Sequence, residues 1–206
     1  MINKKLEHTL KSYSKIFLIG ILVGCICRLT DYFSADTLWS FSSIQTLLGF
    51  WIITNTIIVL LSNSNICAGI NSFLYMFGMT ISFYGLQAIL GIFIPLFSGE
   101  FRFSLFVMFT ILSIPCAVAA FILYYWNKDK VFNSILYSLP VGALVAETIT
   151  IFTYLLKYHT YLFQLLMDSI GFIVFGIIFF KRAKNKSIYV IALIISTLTF
   201  YFIFPW

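Results

Sequence analysis

Two acids and one arginine stand inside long apolar runs. Glu147 lies in Val141-Gly-Ala-Leu-Val-Ala-Glu-Thr-Ile-Thr150, Asp168 in Leu165-Leu-Met-Asp-Ser-Ile170, and Arg28 in Val23-Gly-Cys-Ile-Cys-Arg-Leu29. In hydrocarbon such a side chain is expensive. It turns toward the bundle interior, takes a partner, and by default marks a solute or ion site. Helical spacing groups these residues with others. Gly20, Gly24 and Arg28 recur every four residues and share a face. The two glycines admit a close helix neighbour there. Ala143, Glu147, Thr150 and Tyr154 share a second face, and Gln164, Asp168 and Gly171 a third. These faces predict a small polar site between the first, fifth and sixth helices, opening outwards. Arg28, Glu147, Asp168 and Gln164 are its ligand-binding candidates, with Asn55 and Gln87 added from the second and third helices. A structural reading stays open beside it: Arg28 and Glu147 as a buried packing pair, and Asp168 reaching the outer interface. Buried pairs of that kind often contribute little net stability.

Catalysis is not expected. The two histidines, His8 and His159, lie in the N-terminal tail and in a connection. No HExxH pair is present, and no embedded histidine can serve a serine nucleophile as its base. No phosphate-cradling glycine loop, haem motif or structural metal site occurs, so no cofactor is expected. Cys25 and Cys27 are two apart and point to different faces of a helix, which suits small apolar residues better than a metal pair or a disulfide.

The elements that must hold these residues follow from composition. The chain has 206 residues, of which 61% are hydrophobic and 10% charged. Soluble domains have about 25% charged residues, and a soluble fold of this size could not hide so much apolar surface. The length fits one integral membrane domain, residues 1–206. Seven runs approach the roughly 20 apolar residues of a spanning helix: Tyr13–Phe33, Ile44–Leu61, Cys67–Ile94, Phe103–Trp126, Val131–Leu156, Tyr161–Phe180 and Ser187–Trp206. Continuous runs of this length exclude the alternating strands of an outer-membrane barrel. The expected fold is an all-α polytopic bundle of about seven helices, with six as the alternative if the second is re-entrant. The first helix follows a basic tail and lacks a small-residue cleavage site, so it reads as an uncleaved span. The stretch Asp31-Tyr-Phe-Ser-Ala-Asp-Thr-Leu-Trp-Ser-Phe-Ser-Ser mixes aromatics with hydroxyls and predicts a helix lying flat at the outer interface, with a cover over a pocket mouth as the alternative.

Charge sets an orientation. With the N-terminus inside, the inner side holds Lys4, Lys5, Lys11, Lys15, Lys128, Lys130, Lys181, Arg182, Lys184 and Lys186, ten of the thirteen basic residues. The net charge of +6 therefore reads as membrane topology rather than nucleic-acid binding. The partners expected are the lipid bilayer, a small-molecule solute, and a membrane-protein partner or a second copy of the chain.

The segment Leu38-Trp-Ser-Phe-Ser-Ser-Ile-Gln-Thr-Leu-Leu-Gly-Phe-Trp51, with Cys25-Ile-Cys-Arg-Leu-Thr-Asp31 before it and Phe73-Leu-Tyr-Met-Phe-Gly-Met79 after it, resembles small multi-spanning membrane proteins of low-GC Gram-positive bacteria, a family with no assigned activity. The resemblance covers mainly the first hundred residues and implies a bacterial plasma membrane. The chain is also loosely similar to the substrate-binding subunits of energy-coupling-factor transporters, which are small, helical, and bind solute in the outer half of the bundle. That similarity implies a solute site and an energising partner. It departs from them in helix number and in lacking a clear Ala-x-x-x-Ala in the first helix.

Overall fold

The computed structural model describes residues 6–44, 46–95, 101–128 and 130–203. Among these residues the chain is all-helical. Seven α-helices follow in order: α1 Leu10–Thr30, α2 Leu48–Leu61, α3 Asn65–Phe93, α4 Phe103–Leu123, α5 Phe132–Tyr158, α6 Leu162–Arg182 and α7 Lys186–Ile203. Six are long and apolar enough to cross a membrane, and α2 is not. The chain is thus a multi-pass, membrane-embedded protein, with the second helix the exception that the sequence allowed for. At 14 residues α2 spans about 21 Å, roughly two thirds of a hydrocarbon core about 30 Å thick.

Apolar side chains such as Leu18, Leu22, Ile26, Ile173, Ile177, Ile191 and Ile194 stay exposed, as lipid-facing surfaces do. The flat interfacial helix expected after α1 is not there. Residues 31–40 form turns and irregular backbone, followed by one 3-10 turn, Phe41–Ser43. The hydroxyls explain this. Thr37 and Ser40 bond back to nearby carbonyls, Thr37 Oγ1 to Ser34 O and Ser40 Oγ to Ala35 O, which offers the backbone an alternative to helix. The last three residues of the seventh predicted segment lie outside the described residues.

The described residues gather into two compact units. The first comprises residues up to Phe33 and Ile57–Tyr124. Here α1 packs on α3, and α3 on α4. The α1–α3 approach is close because glycine removes the side chain between the backbones. A Cβ on Gly20 would stand 2.3 Å from Tyr75 O, and one on Gly24 2.2 Å from Met79 O. Side chains close the helix starts: Thr9 Oγ1 accepts from Ser12 N, and Ser64 Oγ from Cys67 N. Leu6 pairs with the end of α2 through Leu6 N to Leu61 O and Asn63 N to Leu6 O.

The second unit comprises Ser34–Thr56 and residues from Tyr125 onward. It contains the start of α2 together with α5, α6 and α7, with α5 packed on both α6 and α7. Gly142 lets α7 close on α5, since a Cβ there would lie 2.1 Å from Ser196 Oγ. An aromatic cluster of Trp126, Tyr137 and Phe179 is buried, with ring centroids 4.8–5.4 Å apart. The turn between α6 and α7 is held by the start of α5: Lys184 N donates to Asn133 Oδ1 and Asn185 N to Ser134 Oγ.

Candidate functional site

The second unit brings three of the predicted residues together. Glu147 on α5, Asp168 on α6 and Gln164 one turn earlier on α6 are each 0% exposed. The predicted faces position them. Ala143, Glu147 and Thr150 are buried together on α5, and Gln164, Asp168 and Gly171 on α6. Tyr154, the fourth member of the α5 face, is exposed. Glu147 is the charged group acting on Asp168, so the two carboxyls are electrostatic neighbours. Among the described residues no basic side chain acts on either.

The third wall is the start of α2. A Cβ on Gly49 would lie 1.9 Å from Asp168 Oδ1, so a side chain there would displace this carboxyl or the helix end. One turn on, Ile53 lies against Gly171, and Leu144 of α5 meets the same glycine. Leu48 and Gly49 are the first residues of α2, where backbone N–H groups have no partner within the helix. Those two N–H groups bear on the Glu147 carboxylate without closing a hydrogen bond of normal geometry. The positive end of a short helix therefore faces a pair of buried acids.

Gln164 is oriented from outside the pair. Its Nε2 donates to Ser40 O at 3.0 Å, which fixes the amide and turns Oε1 away from that bond. Ser40 is itself held in the left-handed region, with φ 46°. Its Oγ accepts from Tyr161 N at 3.1 Å, and Leu38 O accepts from Leu162 N at 2.9 Å. Five buried acceptors remain without a hydrogen-bond donor among the described residues: both oxygens of Glu147, both of Asp168, and Gln164 Oε1.

Arg28 belongs to the first unit. It is buried near the C-terminal end of α1, and it forms an ion pair with Asp31, with Nη1 to Oδ2 at 2.7 Å. Its guanidinium also lies 4.9 Å from the centre of the Phe83 ring. Burial raises the Asp31 carboxyl above the ordinary carboxylate range and outweighs the opposing pull of Arg28. Asn55, on α2, is half-buried, and its Nδ2 donates to Trp51 O at 2.8 Å within the same helix. Gln87, on α3 in the first unit, is half-buried. Gly49, Leu48 and Ser40 escaped the sequence reading, because two of them act through backbone atoms and Gly49 through the absence of a side chain. A glycine within an otherwise bulky apolar run, Leu47-Leu-Gly-Phe-Trp51, was the available signal. No His, Cys, Asp or Glu group of three or more among the described residues could hold a metal ion.

The chain matches no protein-family model, no curated protein and no solved structure.

Proposed function

We propose that this protein is a small transporter or solute-binding membrane subunit of a bacterial plasma membrane, with its N-terminus inside and its solute site at Glu147, Asp168 and Gln164. The observation that carries the reading is the pair of buried carboxyls at the start of a helix too short to span. Two acids brought together in an apolar interior, with no basic partner among the described residues, make poor packing elements, because each ionised form opposes the other. A helix that begins within the membrane and aims its N–H groups at a polar centre is a recurring design in transporters. Movement of solute would then require a shift of α2 against α5 and α6, or an energising partner.

The alternative, a non-catalytic protein that packs within a larger membrane complex, would be favoured by a free small-residue helix face and by a dry, fully packed centre at Glu147. Gly20 and Gly24 already face α3 within the chain, which weakens the first of these supports, while the full burial of Glu147 keeps the second in play. The test is purification of the full chain and of E147Q and D168N in mild detergent, with mass spectrometry of co-purifying small molecules and thermal melting against a solute panel. We expect a solute that stabilises the wild type and is lost or weakened in both variants. Equal binding in wild type and in folded E147Q and D168N would overturn the assignment.

A further inference from the structure

The second unit gathers its basic residues at one end. Lys128 and Lys130 precede α5, and Lys181, Arg182, Lys184 and Lys186 surround the turn from α6 to α7. Of the unit's Lys and Arg residues only Lys157 stands elsewhere, at the far end of α5. The two basic stretches lie side by side. Lys184 N donates to Asn133 Oδ1 and Asn185 N to Ser134 Oγ, and Trp126 meets Phe179 with ring centroids 5.1 Å apart. Together the stretches hold six basic residues and one acid, Asp129, which lies outside the described residues. Membrane topology asks only that positive charge fall on one side. It does not ask that two connections be latched to each other, as these are.

Depth and surroundings select the partner. The turn between α6 and α7 is residues 183–185, too short to carry its charges far from the ends of two apolar helices. Lys128 Nζ lies 4.4 Å from the centre of the Tyr125 ring and Lys186 Nζ 5.4 Å from that of Phe180. Both ammonium groups are thereby held against apolar surface instead of standing out in water. Directly beside the charges the helices expose large apolar side chains, Phe132 and Ile135 in the first turn of α5 and Ile177 and Phe180 at the end of α6. A matching ligand has a negative head and apolar chains. A soluble polyanion would meet the first requirement and waste the second.

We propose that this end of the second unit binds the headgroup of an anionic phospholipid. The lysines and Arg182 of the two latched connections take the phosphate, and the acyl chains lie along the exposed apolar side chains of α5 and α6. The proposal is independent of the solute site.

The probes are dioleoylphosphatidylglycerol and dioleoylphosphatidylcholine, which share acyl chains and differ in net charge. Glycerol phosphate serves as a free headgroup and polyglutamate as a soluble polyanion. Each is titrated against the full chain in mild detergent, with bound lipid counted by native mass spectrometry and the melting temperature followed. Phosphatidylglycerol should bind saturably and raise the melting temperature, less so as salt is added. The other three should not. K130Q/K181Q/K186Q should weaken phosphatidylglycerol binding by roughly tenfold or more, whereas K11Q/K15Q/K157Q, which removes as many exposed lysines from α1 and the far end of α5, should change it by less than about twofold. A second measurement uses the wild type alone. Phosphatidylglycerol, and not phosphatidylcholine, should protect Lys130, Lys181 and Lys186 from an amine-reactive ester relative to Lys157, read by peptide mass spectrometry. Equal weakening by the two triple variants, or equal protection of all four lysines, would overturn the site and leave only general attraction between a basic protein and an anionic lipid. Equal binding of phosphatidylcholine would overturn the headgroup assignment. Equal stabilisation by glycerol phosphate or polyglutamate would overturn the lipid in favour of a soluble phosphate compound or an acidic protein.

Discussion

Replacing Gly49 with alanine sets a methyl carbon 1.9 Å from Asp168 Oδ1, 2.5 Å from its Cγ and 2.7 Å from Oδ2. The three nearest obstacles belong to one carboxyl. Either that carboxyl leaves its place or α2 withdraws from α6. Overpacking of this kind costs about 1–3 kcal/mol. For a chain of this size 1 kcal/mol corresponds to roughly 2–4 °C, so G49A should lower the melting temperature by about 2–12 °C. In a D168A background the obstacle is gone. There the same change should be neutral or stabilising, since alanine is the better helix former by roughly 0.5–1 kcal/mol. Melting of the wild type, the two single variants and the double variant in one detergent completes the cycle. The expected coupling is about 1–3 kcal/mol, within the range measured for residues in direct contact. A G49A loss of equal size in both backgrounds would refute the contact, and so would no loss in the wild type.

Other positions give sharper or opposite outcomes. G20A and G24A should each destabilise the first unit by about 1–3 kcal/mol, because a Cβ there meets backbone carbonyls that cannot rotate away. G85A is the internal contrast: nothing stands within 4 Å of its Cβ, so melting should rise by about 0.4–1 kcal/mol equivalent. W126A empties the centre of the Trp126–Tyr137–Phe179 cluster and should cost about 3–5 kcal/mol by thermal melting. W126F keeps the packing and removes an indole N–H that has no acceptor among the described residues, so it should cost less than half as much. N133A removes the acceptor for Lys184 N and should speed amide exchange at the α6–α7 turn, with a loss of about 1 kcal/mol.

Periodicity made much of this architecture legible. Apolar run length located all seven helices, and the four-residue spacing on α1, α5 and α6 identified the buried faces that carry Arg28, Glu147 and Asp168. What remained illegible was long-range or carried by the backbone. The Ile44–Leu61 run is apolar enough to read as a span, and run length alone does not show that its helix starts only at Leu48. That start is set by contact with Asp168 and by the anchoring of Ser40 to Gln164, residues more than a hundred positions away. The partner of Arg28 was similarly local. Glu147 looked suitable by depth, whereas Asp31, three residues along on the adjoining turn, lies within direct reach. A charge at a membrane depth has no sequence marker for which neighbour it will meet.

The anchoring of the segment before α2 carries a consequence for biogenesis. Leu38 and Ser40 take their partners from Tyr161, Leu162 and Gln164, separations of 121 and 124 residues in the two bonds to Ser40. During synthesis at about 5–20 residues per second, those partners emerge roughly 6–25 s after Ser40 does. For that interval the N-terminal end of α2 lacks these partners, while Leu6 is already available to pair with Leu61 and Asn63 at its other end. Seating of that N-terminal end is then a late step, and variants that weaken the Ser40–Gln164 latch should accumulate a protease-sensitive early form rather than lose helix content.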